Sequence, residues 1–394
     1  KSDEAFFLIN GTSGGILAMI MGCCSAHQKV IIPRNCHKSV INALVLSGAT
    51  PIFISPEYDF DLEISNQPSI DAYKKAIDEN LDARAIFVIN PTYFGACLNL
   101  KELVKYAHDR NLIVFVDEAH GAHFAFNHYG PDSAMECDAD LSAVSLHKTG
   151  GSLTQSSVLL RKGNRVTHYE IAKAFALINT TSPSTLLLAS LDSARKYMAL
   201  NGQEALNDIV NLANYARKEI NRIPGFKARG REYFLSKNVF DYDDTKLVIE
   251  IESLDLNGFE MYNLLKDKYS IQMELAEAYT LLGIIAIGSK KAHIDNLVLA
   301  LKDISLHHYQ ENINYPKYKY DRPFPVGIVR PRTAYHAPLK VIPLEEATHQ
   351  ISKESIMIYP PGIPLIIPGE IFTKDIIERI KLYRRNGATV LYDY

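Results

Sequence analysis

The sequence has no long apolar run, no strong charge of either sign and no paired cysteine motif. The run "GILAMIMGCC" is far shorter than the roughly 20 residues that cross a bilayer. The net charge of −3 gives no sign of a nucleic-acid or membrane surface. The five cysteines are odd in number and form no CxxC pair, which favours buried, reduced thiols and a cytoplasmic protein.

The length of 394 residues suits a large domain with smaller ones beside it. We predict a large domain over 1–190, a small α/β domain with a connecting helix over 191–310, and a C-terminal domain over 311–394. The chain begins at Lys1, directly before a predicted strand and without an initiator methionine. We therefore expect that further residues precede Lys1 in the full protein.

Short apolar runs alternate with helical stretches in the first half of the chain. Several runs are rich in β-branched residues without polar alternation, as in strands covered on both faces, so we predict a mostly parallel α/β sheet. An amphipathic segment at 98–111 is typical of the helices between such strands. The predicted strands are Ala5–Ile9, Lys29–Pro33, Thr50–Ile54, Ala85–Ile89, Ile113–Val116, Leu141–Ser145 and Ser156–Leu160.

The second half begins with a near-continuous amphipathic run from about Thr185. The pattern that follows predicts strand, helix and two strands, closed by a helix at Lys291–Leu306. A linker at 307–325 leads to the proline-rich segment "YPPGIPLIIPGE" and a basic helix at Lys374–Asn386.

A glycine-rich turn, "NGTSGGILAMIM", precedes an apolar helix. The amides of Thr12, Ser13 and Gly14 at such a helix start could hold a phosphate. The segment matches neither GxxxxGK[ST] nor GxGxxG, which disfavours ATP and dinucleotides. A plain N-cap by Thr12 or Ser13 is the alternative.

Asp117 ends a predicted strand in "VFVDEAHGAH", where a buried carboxylate needs a partner. A pyridinium N–H would be such a partner, since an ionised aspartate keeps that ring nitrogen protonated. The alternatives are a structural aspartate or a metal site with His120 and His123, for which the sequence offers no third ligand at a recognisable spacing.

Lys148 follows another predicted strand, in "SLHKTGGSLTQSS", beside Ser145 and His147. An amine at the edge of the core can lose its proton and form an imine with an aldehyde cofactor. His37, after the second strand, could stack on a planar cofactor, although a lone histidine is more often structural. The order glycine-rich turn, aspartate, lysine is what a pyridoxal phosphate enzyme of the aminotransferase-like fold needs.

Seven segments resemble motifs of the Orn/Lys/Arg decarboxylase family and occur in the family's order. Within the family, the sequence is most similar to the compact bacterial arginine decarboxylases. The family's segment before the first motif, which helps to form the dimer and the active site, would precede Lys1. The segments are "FFLINGTSGG", "PRNCHKSV", "INPTYFG", "VDEAHGAH", "SLHKTGGSLTQSS", "TTSPSTLLLASLD" and "YPPGIPLIIPGE".

The resemblance implies a pyridoxal 5'-phosphate enzyme of fold type I that works as a homodimer or higher homo-oligomer with shared sites. Lys148 would be the Schiff-base lysine, and Asp117 would bind the pyridine nitrogen. Glu370 would approach the distal cation of a small basic amino acid. The remaining implied positions are His37 and Ala119 on the two faces of the ring, Thr12, Ser13, Gly14, Ser145 and His147 around the phosphate and imine, and Thr181 and Ser182 at the phosphate of a neighbouring subunit.

The implied reaction is decarboxylation of L-arginine to agmatine, with lysine and ornithine as alternative substrates. The larger inducible members carry an aromatic residue in place of His120, so contacts to the ring should differ there. The same motifs would also be compatible with an α-oxoamine synthase or related enzyme of this fold, which should lack "PPGIPLIIPGE", or with a non-catalytic homologue that binds the cofactor.

Overall fold

The structure of the chain, a computed structural model, describes residues 1–127, 130–311, 313, 324–359 and 362–393. Most of the predicted linker at 307–325, and Pro360 and Pro361 of the proline-rich segment, lie outside the described residues. In the part that is described, no helix is long and apolar enough to cross a membrane.

The first half of the chain alternates strands and helices, as its apolar pattern predicts. Its elements are β1 (Glu4–Leu8), α1 (Gly11–Cys23), β2 (Lys29–Pro33), α2 (Lys38–Ser47), β3 (Thr50–Ile54), β4 (Tyr58–Asp59), β5 (Ile64–Ser65), α3 (Ile70–Asp78), β6 (Ala83–Ile89), β7 (Ala96–Cys97), α4 (Leu100–His108), β8 (Ile113–Asp117), β9 (Leu141–Val144), α5 (Leu146–Thr149) and β10 (Ser157–Arg161).

The second half begins with two helices and then forms two smaller sheets. Its elements are α6 (His168–Ile178), α7 (Thr185–Ile220), β11 (Phe226–Arg229), α8 (Arg231–Ser236), β12 (Asp241–Tyr242), β13 (Lys246–Ile251), α9 (Gly258–Tyr269), β14 (Leu275–Ala276), β15 (Thr280–Ile284), α10 (Lys291–His308), α11 (Pro331–His336), β16 (Ile356–Ile358), β17 (Ile363–Ile366), α12 (Lys374–Arg385) and β18 (Val390–Tyr392).

A seven-stranded sheet in the order β1-β10-β9-β8-β6-β2-β3 forms the centre of the large domain. The neighbours from β9 to β3 pair in parallel, and β10 runs antiparallel to β9 and β1. Apolar side chains are buried on both faces, which explains the continuous apolar runs. The prediction of a mostly parallel α/β sheet is confirmed, with each strand end within two residues of its predicted position.

The change from the large to the small domain occurs inside α7. Leu191 and Ala194 pack in the core of the large domain, whereas Met198 and the buried residues after it pack with the small domain. The boundary predicted at 190 therefore falls within one continuous helix. The small domain's sheet, β11-β13-β15-β14, includes β11, which the sequence analysis did not predict.

The parallel arrangement brings several strand ends to one edge of the large sheet. Because β1 runs antiparallel to β10, it points the same way as β8 and β9. The segments after β1, β2, β6, β8 and β9 therefore meet at this edge, which is where open α/β sheets bind ligands. The C-terminal part, with the sheet β17-β16-β18 and α12, also reaches this edge.

Candidate active site

A cleft of about 230 Å³ lies at this edge of the sheet, between the large domain, the small domain and the C-terminal part. The large domain contributes most of the lining, Glu277 comes from the small domain, and Arg379 and Tyr383 come from α12. Of the predicted site residues, the cleft brings together Thr12, Ser13, His37, Asp117, Ala119, Ser145, His147 and Lys148.

The glycine-rich turn places hydroxyls at the start of α1. The helix begins at Gly11 after Asn10, which makes no side-chain cap, so Thr12 and Ser13 are first-turn residues and not N-caps. The Thr12 hydroxyl is hydrogen-bonded to Ser145 Oγ and lies 3.2 Å from Ser157 Oγ. First-turn amides and clustered hydroxyls are suited to an anion.

Gly14 lies outside the cleft lining. Its amide donates to the carbonyl of Asn10 at 3.4 Å, inside the helix. A direct contact between the Gly14 amide and a phosphate is therefore not supported by this geometry, because the donor already has a partner.

Asp117 ends β8 with its side chain buried and facing the cleft. Its Oδ1 accepts a hydrogen bond of 3.1 Å from the amide of Ala119. Burial raises the pKa of the Asp117 carboxyl, while Lys148 and the Ala119 amide oppose this shift. A cationic N–H inside the cleft would therefore stabilise the ionised form.

Lys148, in the short helix α5, directs its amine into the cleft. Its Nζ donates to Nε2 of His120 at 2.9 Å and lies 5.4 Å from the centre of the Tyr93 ring. Burial lowers the pKa of the Lys148 amine, although the carboxylates of Asp117 and Glu274 oppose this. Burial, with the charge of Lys148, also keeps the pKa of His120 well below its usual range, so His120 is a neutral acceptor.

His37 and Ala119 reach the cleft from the segments after β2 and β8. Nδ1 of His37 accepts from the amide of Ser39 at 3.1 Å, which fixes the ring at the start of α2. Burial, together with the charges of Lys148 and Lys38, lowers the pKa of His37 to about 4. The ring is therefore neutral near pH 7. A neutral ring can stack on another aromatic ring, even a positively charged one, without electrostatic repulsion.

Ser145 and His147 flank the lysine. The side chain of Ser145 is buried against Thr12. Nδ1 of His147 donates to the carbonyl of Ser156 at 2.9 Å, so Nε2 carries the lone pair of the neutral ring. Burial lowers the pKa of His147, which favours that neutral form.

One end of the cleft is acidic. Glu277 and Glu63 line it together with Tyr58, Arg379 and Tyr383. The Tyr383 hydroxyl donates to Glu277 Oε2 at 3.4 Å. Burial raises the pKa of Glu277 to about 7; Arg379 lowers it and Glu63 raises it further. This end is therefore suited to an added cation, which would stabilise both carboxylates.

Besides Gly14, three predicted residues lie outside the cleft lining. Glu370 is buried, but its carboxylate is paired with Arg34 and does not line the cleft. A direct contact between Glu370 and a substrate cation is therefore not supported by this geometry, because Arg34 already neutralises the carboxylate. Thr181 and Ser182 are exposed at the turn before α7 and stay a prediction for a partner's site.

Sequence reasoning gave His120 only a weak metal-binding role and did not single out Tyr93, Glu63 or Glu277. His120 and His123 turn to different partners, Lys148 and Asp243, so they do not face one ion. For Tyr93 there was a signal, since "NPTYFG" follows β6 at the same sheet edge. For the two glutamates there was none, because their segments come from separate parts of the chain.

Comparisons with known proteins place this site in a family. Residues 1–293 match the family described as Orn/Lys/Arg decarboxylase, major domain, and residues 317–389 match its C-terminal domain. The chain is similar to an arginine decarboxylase of Halalkalibacterium halodurans, with 42% identity over 99% of this chain and 79% of the relative. An arginine decarboxylase of Bacillus subtilis is 43% identical over 96% of this chain and 78% of the relative.

More distant proteins share the fold. The constitutive lysine decarboxylase of Escherichia coli is 23% identical over 95% of this chain and 64% of the relative. Its solved structure superposes with a TM-score of 0.80 at 20% identity, covering 99% of this chain and 68% of that one. An alanine–glyoxylate aminotransferase from Nostoc sp. reaches a TM-score of 0.60 at 15% identity, covering 77% and 82%.

Proposed function

Because the chain belongs to the Orn/Lys/Arg decarboxylase family, we propose that it converts L-arginine to agmatine and CO₂ with pyridoxal 5'-phosphate. The observation that carries this proposal is the convergence of the Lys148 amine and the Asp117 carboxylate on one cleft, with hydroxyls at the start of α1 beside them. The match of residues 317–389 to the family's C-terminal domain argues against an α-oxoamine synthase.

The donor set of the cleft fits this cofactor. Asp117 offers a buried carboxylate for a protonated ring nitrogen, and Lys148 offers an amine of lowered pKa for the aldehyde. Thr12, Ser13 and Ser145 supply hydroxyls for the phosphate. Pyridoxal phosphate, when bound, supplies the aldehyde that takes up the amino group and a ring that accepts electrons.

The chain's own groups would then orient the reacting atoms. His37 would lie against one face of the ring, and the small side chain of Ala119 leaves room at the other. The bond from Cα to the carboxylate breaks, CO₂ leaves, and a proton is added at Cα. Lys148 is placed to deliver that proton, and His120 fixes its amine by accepting a hydrogen bond. His147 is the alternative donor.

Arginine is favoured over lysine and ornithine by the relatives. Arginine decarboxylases are 42–43% identical to this chain, whereas the lysine decarboxylase of Escherichia coli is 23% identical. The acidic end of the cleft supports a cationic side chain of any of the three substrates, since two carboxylates face one arginine there. We also propose a cytoplasmic homodimer, in which Thr181 and Ser182 reach the partner's phosphate.

Release of CO₂ from carboxyl-labelled arginine, lysine and ornithine tests the function directly. We expect turnover with arginine and at least tenfold less with lysine or ornithine. Lys148→Ala should abolish release and the cofactor adduct that borohydride fixes, while the far-ultraviolet circular dichroism stays unchanged. An adduct that persists in this variant would move the covalent role to another lysine.

A further inference from the structure

Lys246 is a buried lysine for which the proposed reaction has no use. Its side chain is 0% exposed, at the start of β13 in the small domain. Its Nζ lies 3.2 Å from Oδ2 of Asp243 and 3.5 Å from the main-chain oxygen of His120 in the large domain. A buried ammonium is costly unless it is paired, so this placement must be held by its neighbours.

Asp243 is the residue that holds it. Oδ1 of Asp243 accepts from the hydroxyl of Thr245 at 2.7 Å and from its amide at 3.1 Å, and it lies 3.1 Å from Nε2 of His123. Burial alone opposes ionisation, but His123 and Lys246 keep the pKa of Asp243 well below its usual range. One buried carboxylate thus contacts His123 directly and reaches His120 through Lys246.

The stem of Lys246 also contacts the segment that carries Tyr93. Gly95 has a φ of +92°, and a Cβ built there would come within 2.8 Å of Cγ of Lys246. The amide of Asp243 donates to the carbonyl of Gly95 at 2.8 Å. Two residues before Gly95, the ring of Tyr93 lies 4.3 Å from the ring of His120. The Asp243–Lys246 pair therefore contacts both the segment 120–123 and the segment 93–95, which carries the ring beside His120.

We propose that Lys246, held by Asp243, is a positioning residue of the active site that fixes the segment 120–123 and with it the imidazole that touches Lys148. The proposal rests on the function proposed above, in which Lys148 is the cofactor lysine. Lys246 does not touch the cleft itself, so it acts through His120.

The charge of Lys246 also acts on the amine of Lys148 and on the imidazole of His120. It adds to burial in lowering the pKa of Lys148 and the pKa of His120, and Asp243 opposes it at His120. Removing this charge should therefore raise the pKa of Lys148. The titratable groups that face Lys148, His120 and Lys246 are Asp117, Glu274, His37, Tyr93, Cys97, His123, Tyr242 and Asp243.

Three variants separate positioning from simple charge balance. Lys246→Met keeps the stem against Gly95 and removes the charge, but it leaves Asp243 without its lysine. The double variant Lys246→Met, Asp243→Asn removes both charges, so neither charge is left buried without its partner. Asp243→Asn by itself keeps the lysine but removes the carboxylate that holds it, so it should also lower kcat/KM.

Each variant is measured in three ways. The first is the midpoint of thermal unfolding. The second is the pH dependence of Lys148 acetylation by acetic anhydride in the cofactor-free protein, resolved by mass spectrometry. The third is kcat/KM for arginine in the cofactor-loaded enzyme.

We expect Lys246→Met to lower the acetylation of Lys148 near pH 8 by about threefold, because a higher pKa leaves less of the amine unprotonated. We expect kcat/KM to fall about tenfold, as misplaced catalytic groups do. The double variant should recover the thermal midpoint but neither the acetylation nor kcat/KM. If Lys246→Met fails to fold, the double variant still makes this comparison.

Recovery of all three values in the double variant would mean that Lys246 only balances Asp243. Wild-type acetylation of Lys148 in the variants that lack Lys246 would also overturn the proposal. Acetylation does not require turnover, so a wild-type protein that fails to release CO₂ would refute the proposed function without deciding this one.

Discussion

Arg34 and Glu370 form a buried, two-pronged ion pair between the large domain and the C-terminal part. Nε and Nη2 of Arg34 donate to the two carboxylate oxygens of Glu370 at 2.6 and 2.7 Å. Oε2 of Glu370 also accepts from the amide of Ile367 at 2.9 Å, and Nη1 of Arg34 donates to the carbonyl of Pro364 at 3.0 Å. The pair therefore links the segment 368–370 of the C-terminal part to the segment after β2.

We predict that Glu370→Gln acts mainly on stability. The change leaves the guanidinium of Arg34 buried without its counter-charge, and breaking such a pair costs about 3 kcal/mol in the free energy of unfolding. The midpoint of thermal unfolding should fall clearly. For cofactor-loaded enzyme that remains folded, KM for arginine should change less than twofold.

The double variant Arg34→Met, Glu370→Met is the control, because replacing both partners by apolar groups is often neutral. It should recover most of the lost stability. A KM that rises tenfold or more in folded Glu370→Gln, without a change in thermal midpoint, would instead indicate that Glu370 binds the substrate.

A second prediction concerns the charge at the end of β8. Asp117→Asn keeps the shape and the hydrogen bond from Ala119 but cannot stabilise a protonated ring nitrogen. We expect kcat to fall about a hundredfold, the scale of losing a strong charge-assisted contact at a transition state. Cofactor affinity, measured by fluorescence titration, should change far less. A kcat close to that of the wild type would make Asp117 a structural residue.

The third prediction is that active sites are shared between subunits. Thr181 and Ser182 are exposed at the turn before α7 and away from their own chain's cleft, as a shared site requires. Lys148→Ala chains mixed with Thr181→Ala, Ser182→Ala chains should regain activity, because half of the sites in each heterodimer carry neither lesion. Fluorescence energy transfer between labelled chains confirms exchange. No recovery after confirmed exchange would indicate sites built within one chain.

The sequence was sufficient for the parts of the site that one strand end determines. Asp117 and Lys148 each follow an apolar run, and parallel strands must bring their carboxyl ends to one edge. The glycine-rich turn could be placed beside them for the same reason. A residue that directly follows a parallel strand is thus located both in the sequence and at a known edge of the sheet.

The rest depends on how distant segments pack. Glu370 is equally consistent with substrate binding and with an ion pair until the position of Arg34, 336 residues away in sequence, is known. Tyr58, Glu277 and Arg379 come from three separate parts of the chain and meet only in the folded protein. No pattern in the sequence indicates that these three residues lie close together, so this end of the cleft could not be predicted.

Glu277 gives the last prediction, which concerns the distal cation of the substrate. Its carboxyl has a pKa of about 7, raised chiefly by burial, so in the free enzyme it becomes ionised as the pH rises through neutrality. A guanidinium is attracted by the ionised form, and kcat/KM for arginine should therefore increase between about pH 6 and pH 8. Glu277→Gln should lower kcat/KM at pH 8 by about tenfold, the value of one charge-assisted hydrogen bond, and should flatten this rise. Glu57→Gln, an exposed carboxylate outside the cleft, is the matched control and should keep the wild-type profile. If the rise with pH persists unchanged in Glu277→Gln, another group in the cleft must titrate, and Glu277 does not contact the substrate.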